Sequence, residues 1–417
     1  MGLAGVEGVV GVMGSQELKN VASMFSDGDW VESKDQDPEG SVRLIQLADI
    51  GDGVFIDKSK RFMNIETAKR LNCTFLNKND ILIARMPDPL GRCCLFPFDE
   101  REKYVTVVDI AILRVLDSYS KSYLQYMINT PQVRHDIEGQ TTGTTRKRIT
   151  RKKLEKLKIP LPPLAEQQKI AAILDAADQL RQKNQQLIDH YSQLSQSLFL
   201  DMFGDPVTNP MGWGTIKLEA IADIASGVTK GRKLKSENVF EIPYMRVANV
   251  QAGYLNLDEV KTVPGTKEDV IKYSLKKGDV LLTEGGDPDK LGRGTVWGEE
   301  IENCIHQNHI FRVRLTCDKS TPVYLSWLCG SEYGKRYFLK SGKQTTGIAS
   351  INKTQLKRFP VLRPPIELQN QFAQHIEKIE QQKQQAQASL EKSEALFNSL
   401  LQRAFKGELT SNKARAA

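Results

Sequence analysis

The segment Leu157 to Pro163 (LKIPLPP) returns 202 positions later as Phe359 to Pro365 (FPVLRPP). Gln167 and Gln369 keep that offset, as do Phe203 and Phe405. Upstream, NDILIARMPDPLGR at 79–92 lines up with GDVLLTEGGDPDKLGR at 278–293, and QTTG at 140 recurs at 344. The small changes of offset imply loop insertions. A repeat of this length constrains the fold more than any local propensity, because the chain must realise one structural plan twice. With 417 residues, two globular units plus connecting elements account for nearly the whole chain.

Each copy has two parts. Residues 15–163 and 213–363 carry short apolar runs such as ILIA (81–84), VTVVDIAIL (105–113), VLL (280–282) and HIFRVRL (309–315), broken by Gly, Pro, Asp and Asn. These read as strands with some helix between them. After each Pro-Pro pair the period changes to that of a long helix, over 164–203 and 364–406. In the first, Ile170, Ile173, Ala177, Leu180, Asn184, Leu187, Tyr191, Leu194 and Leu198 step by three and four; in the second, Phe372, Ile376, Ile379, Lys383, Ala386, Leu390, Ser393, Phe397, Leu400 and Ala404 do the same. Both are heptad seams. About 38 residues at ~1.5 Å each give a strut of roughly 57 Å. Asn184 and Lys383 stand where a buried polar residue fixes register. Each helix packing only on its own domain is the alternative; two seams of equal length favour mutual pairing. The expected fold is therefore α+β, with two similar β-rich domains, each followed by a long helix, the helices pairing as an antiparallel coiled coil. Residues 1–14 read as a flexible leader, 204–212 as a linker and 407–417 as a flexible tail.

Composition narrows the function classes. With 40% hydrophobic and 26% charged residues the chain can bury sizeable cores. The excess of 58 Lys+Arg over 51 Asp+Glu, a net charge of +7, is compatible with a polyanionic partner without requiring one. Cys73, Cys93, Cys94, Cys304, Cys317 and Cys329 form no CxxC pair, no basic, apolar leader precedes them, and no run approaches ~18 apolar residues. A reducing cytoplasm is the expected location.

A β-rich domain, a proline-bounded long helix and the same pair again resembles the specificity subunits of type I restriction-modification systems, from residue 16 to 406. The most specific piece is IPLPPLAEQQKIAAILDAAD (159–178), echoed by LRPPIELQNQFAQHI (362–376); GDVLLTEGGDPDKLGR resembles the strand-loop element of the family's target recognition domains. The second copy departs by carrying Leu368-Gln369 where the first has Glu166-Gln167, and Glu284 stands where the first has Arg85. The resemblance implies a noncatalytic, DNA-recognition role in phage defence: each domain reads one half of a split double-stranded DNA target, and the helices act as spacer and as docking surface for two methyltransferase subunits. Restriction (translocase) subunits complete such assemblies. No cofactor is implied on this chain; S-adenosylmethionine belongs to the methyltransferase partner, ATP and Mg to the restriction partner.

The densest basic run, RKRITRKKLEKLK (146–158), supplies Arg146, Lys147, Arg148, Arg151, Lys152 and Lys153 as phosphate contacts. A solvated helix face is the ordinary reading of such a run, but the preceding QTTG loop, with Thr141 and Thr142, favours contact with a nucleic-acid backbone. In the second copy Lys343, Thr345 and Thr346 occupy the corresponding place. Lys230, Arg232 and Lys233 form a further basic loop able to reach guanine edges. Cys304, His306 and His309 lie close in sequence, yet strand alternation puts His309 on the opposite face from the other two, which argues against a zinc site.

Catalytic signatures are missing. GSEYGKR (330–336) falls short of a phosphate loop, no G-x-G-x-x-G follows a predicted strand, and the one Asn-Pro, Asn209-Pro210, lacks the Pro-aromatic continuation of amino-methyltransferases. Two other readings stay open at this point: a stand-alone two-headed sequence-specific DNA-binding protein, and a coiled-coil structural protein whose β-rich domains bind something else.

Overall fold

The computed structural model describes residues 14–87, 89–141, 147–232, 238–286, 290–345 and 348–410. They form two compact units, one holding Met1–Gln185 with Ala388–Ala417 and the other Gln186–Gln387. The division falls inside both long helices, so each unit owns the first part of one and the last part of the other.

In the first unit a four-stranded antiparallel sheet runs in the order Ala22–Asp27, Ile110–Val115, Ile81–Ala84, Cys93–Leu95. Its strand ILIA is buried on both faces: Ile81 and Ile83 enter the core beneath the helices, while Leu82 and Ala84 enter a second core with Phe96 and Ile112. An unbroken apolar run is what a doubly covered strand requires. A three-stranded sheet of Phe62–Met63, Val42–Ile45 and Tyr104–Thr106 adjoins it, and Ser15–Glu17 pairs with Lys158–Pro160 just before the first Pro-Pro.

The second unit repeats each piece. Ala222–Ser226, Ile310–Leu315, Val280–Thr283 and Gly294–Val296 make the four-stranded sheet; Lys261–Gly265, Phe240–Met245 and Ile305–His306 the three-stranded one; Thr215–Lys217 pairs with Pro360–Leu362. The agreement extends to side chains. Arg114 grips buried Asp80 through two hydrogen bonds of 2.9 and 2.7 Å, and Arg314 grips Asp279 through two of 2.7 Å. Gly28 and Gly227 are equivalent too: a Cβ there would stand 2.1 Å from the carbonyl oxygen of Val107 and 1.8 Å from that of His306, so only glycine lets the crossing backbones approach.

The long helices are Leu164–Phe203 and Ile366–Phe405, 40 residues each. Each is tied at its start by the repeated glutamine. Gln167 accepts a hydrogen bond from the Ser120 N–H (3.0 Å) and donates to the Pro162 carbonyl (2.8 Å); Gln369 does the same with Thr321 (2.9 Å) and Pro364 (2.9 Å). Ser120 and Thr321 each cap a short helix, so one buried side chain joins the helix start, the Pro-Pro turn and that cap.

The seam of the second helix follows the expected residues. Phe372, Ile376, Leu390 and Phe397 are buried and Ile379 is half-buried. The first helix requires a correction. Ile170, Ala177 and Asn184 are buried, but Ile173, Leu180, Leu187 and Leu194 are 38, 47, 44 and 51% exposed. The seam instead takes the residue one position later in each heptad, namely Leu174, Arg181, Ile188 and Ser195, which are buried or half-buried. In the first unit Ile170, Ala171, Leu174 and Ala177 must also cover that unit's own core, and this turns the helix away from the leucine row. Pairing there is antiparallel: Asn184 donates to the Ser393 hydroxyl at 3.2 Å, and the Arg181 guanidinium, one turn earlier, lies 4.8 Å from the centre of the Phe397 ring, one turn later. In the second unit Phe199 and Phe203 stack edge to face on Phe372 at 5.6 and 5.2 Å.

Candidate nucleic-acid interface

In each unit the ends of the two central strands of the four-stranded sheet meet the chain that follows the QTTG loop. In the first unit the Arg85 N–H donates to the Asp109 carbonyl (2.9 Å) and the Ile149 N–H to the Arg85 carbonyl (3.1 Å). In the second the Glu284 N–H donates to the His309 carbonyl and the Ile351 N–H to the Glu284 carbonyl, both 2.9 Å. Arg85 and Glu284, Asp109 and His309, Ile149 and Ile351 are thus equivalent positions in one backbone frame.

The side chains on that frame differ. Arg85 turns inward: it is buried, pairs with Asp27 and donates to the carbonyls of Ile149 (3.0 Å) and Val108 (3.1 Å). Asp109 pairs instead with Arg148 at 3.1 Å. In the second unit Glu284 faces outward, and its carboxylate lies 2.8 Å from Nδ1 of His309.

The candidate contacts of the basic run fall into two groups. Lys147 and Lys152 are exposed. Arg151 donates to the Phe25 carbonyl (2.8 Å) and pairs with Glu155 (2.6 Å) and Asp27 (3.4 Å); Lys153 donates to the Gln140 carbonyl (2.6 Å); Thr141 donates to the Glu138 carbonyl (2.9 Å). These three hold the short helix Arg151–Leu154 and the start of the loop against the sheet. Thr142 and Arg146 lie outside the described residues.

In the second unit Lys343 is exposed at the head of the strand Lys343–Thr345, which pairs with Ile348–Ser350; that strand in turn pairs with Gly285–Gly286, directly after Glu284. Thr345 thus sits on the hairpin beside the Glu284–His309 pair, and Thr346 lies outside the described residues. Lys230 is exposed, Arg232 pairs with Asp269 at the start of a short helix, and Lys233 lies outside the described residues. The Glu284–His309 pair escaped sequence reasoning. Its signal was the exchange of Arg for Glu at one repeat position and Asp for His at the other.

Cys304 and His306 are buried and His309 is exposed, so the three do not converge, and among the described residues no group of three or more His, Cys, Asp or Glu is placed to hold a metal. Burial pushes the thiols of Cys73, Cys94 and Cys304 up to about 12, far from the reactive thiolate range. Among the described residues no helix is long and apolar enough to cross a membrane.

The family model for the type I restriction modification DNA specificity domain matches this chain twice, over residues 15–189 and 210–392. The type I restriction enzyme StySPI specificity subunit of Salmonella potsdam is 24% identical over 308 residues, 70% of this chain and 66% of that protein. The EcoKI specificity subunit of Escherichia coli is 23% identical, over 72% of this chain and 68% of that one. The match to these relatives spans about two thirds of their length. Among solved structures, the type I restriction-modification S subunit from M. genitalium superposes with a TM-score of 0.55 at 18% identity, covering 94% of this chain and 96% of that one. A chain from another type I R-M system gives 0.51 at 17%, covering 95% and 98%. At such identities the structural likeness is one of fold.

Proposed function

The chain belongs to the type I restriction-modification DNA specificity family, and from that membership we propose that it is the noncatalytic subunit that reads a bipartite double-stranded DNA target for methyltransferase and restriction partners. The observation that carries this reading is the doubled frame: one backbone arrangement at the strand ends, built twice, carries Arg85, Asp109 and Arg148 in one unit and Glu284 and His309 in the other. Two readers of one design with different side chains suit two different half-sites. Exposed Lys147, Lys152, Lys230 and Lys343 supply phosphate contacts around them.

The exposed row Ile173, Leu180, Leu187 and Leu194 supports partner docking on the first long helix, because a heptad-spaced apolar stripe has no intramolecular use once the seam runs beside it. The methyl donor and the nucleotide chemistry stay with the partners. The long helices set the number of unread base pairs between the half-sites.

Two measurements test the proposal. Replacing Lys147 and Lys152 with Gln weakens binding to all duplexes alike and lowers the log-log salt slope by roughly 1.8, about 0.9 for each lost phosphate contact; an unchanged slope counts against the interface. Inserting one heptad into each long helix, after Leu187 and after Leu390, keeps the seam in phase and adds roughly 10 Å. Mapping methylated bases in cells carrying the insertion should show both half-sites unchanged and the unread stretch longer by about three base pairs at ~3.4 Å each. An active insertion mutant with the original spacing sinks the spacer role.

A further inference from the structure

We propose that His309, oriented by Glu284, is a base-reading residue of the second unit, taking the exocyclic amino group of an adenine or cytosine; this rests on the reading of each unit as a DNA-binding module. The first support is position. His309 stands just before the strand Ile310–Leu315, and its carbonyl accepts from the Glu284 N–H. The residues after Glu284, Gly285–Gly286, pair with Ile348–Ser350, which pairs in turn with Lys343–Thr345. His309 also occupies the backbone place that Asp109, paired with Arg148, occupies in the first unit.

The second support is chemistry. With Nδ1 lying 2.8 Å from the Glu284 carboxylate, the neutral ring donates its one N–H there and presents Nε2 as an acceptor. Among the described residues Nε2 is met by the Asn308 amide nitrogen at 3.5 Å, the outer limit of a hydrogen bond. The imidazole is 57% exposed and the carboxylate 31%, so both remain within reach of a ligand. In the major groove the amino groups of adenine and cytosine are the donors that such an acceptor reads, whereas guanine and thymine present acceptors there. A carboxylate beside the ring reinforces that preference, because it too accepts and repels acceptor edges and phosphates.

The third support is contrast. Buried His306, three residues earlier, has its ring nitrogen Nδ1 3.2 Å from the Tyr273 carbonyl inside the core, a structural use that needs no ligand. The exposed Glu284–His309 hydrogen bond stabilises little, because water competes for both partners. Its hydrogen bond fixes a tautomer on a surface where the fold gains nothing from fixing one.

The test uses the full chain with its methyltransferase partner, comparing wild type with His309→Ala, Glu284→Ala and Glu284→Gln. Methylated sites are mapped genome-wide, and affinity is measured for duplexes carrying each single base-pair change. His309→Ala should relax one base pair of one half-site by about tenfold or more, leaving the other half-site and the unfolding temperature unchanged. Glu284→Ala should relax the same base pair less, and Glu284→Gln, whose amide oxygen still accepts from Nδ1, should retain most of the discrimination. The identity of that base pair separates adenine from cytosine. A His309→Ala complex with the wild-type site list and unchanged discrimination overturns the inference, as does a uniform loss across all duplexes, which marks a phosphate contact. A wild-type complex that methylates no split target overturns the DNA-recognition reading and this inference together.

Discussion

His306 and Arg314 show how burial, more than residue type, decides what a polar side chain does here. Burial pushes the His306 imidazole down to about 4, so the folded protein holds it neutral at pH values where the unfolded chain, with an ordinary value of 6.5, takes up a proton. Its contribution is therefore complete above about pH 6.5 and is lost as pH falls toward 4, an effect of roughly 3 kcal/mol at most. Urea unfolding of the second unit between pH 7 and pH 4 should show this loss, and His306→Phe should flatten it. Arg314 answers to the same physics from the other side. Its partner Asp279 is 1% exposed, and the paired guanidinium is itself held above its ordinary range by that hydrogen bond. Arg314→Ala should cost about 3 kcal/mol because a buried carboxylate loses its counter-charge, whereas replacing both residues by apolar ones of similar size should cost less. Thermal unfolding of the two variants distinguishes these outcomes. None of this was legible in the sequence: Arg314 lies on one strand and Asp279 just before another, and the repeat shows only that each has a counterpart, Arg114 and Asp80.

The long helices show which part of an element a sequence carries. Their extent was readable from the Pro-Pro starts and the absence of internal Gly and Pro, and the second seam was largely readable, its expected residues being buried or half-buried with buried Leu401 beside them. The first seam was not. Leu180, Leu187 and Leu194 are the most apolar choice at spacing seven, and a rule that weighs apolarity alone selects them over Arg181, Ile188 and Ser195. What overrides it is a second neighbour, the first unit's own core, which needs Leu174 and Ala171. The two registers predict opposite outcomes. Leu180→Gln and Leu187→Gln should leave the isolated chain's unfolding midpoint nearly unchanged, whereas Leu174→Ala should lower stability by about 2–5 kcal/mol through the cavity it leaves. Equal losses from all three would restore the leucine row to the seam. The same division applied to the basic run: its sequence announced a charged surface, but only the fold separated exposed Lys147 and Lys152 from Arg151 and Lys153, which are engaged within the sheet's own packing.

At the scale of the whole molecule, the repeat in the sequence and the units in the fold do not have the same boundaries. Two tandem copies suggest two modules in series, each closed by the helix that follows it. The first unit instead draws its last helical segment from the far end of the chain: Phe397, Leu401 and Ala404 lie in the core of the first unit, and the Phe397 ring sits 5.9 Å from Tyr126. The second unit is continuous from Gln186 to Gln387. Removing residues 388–417 should therefore damage the unit farthest from the cut in sequence. Hydrogen exchange read by segment should show protection falling across Ile81–Ala84, Ile110–Val115 and Lys121–Ile128, while Val280–Thr283, Ile310–Leu315 and Pro322–Gly330 keep theirs. The loss is large because Phe397 alone fills a core position whose removal costs about 3–5 kcal/mol, a large share of the ~5–15 kcal/mol that holds a domain folded. If protection fell in the second unit and held in the first, the tandem-module picture drawn from the repeat would be the right one, and the closing of the first unit by the end of the chain would not.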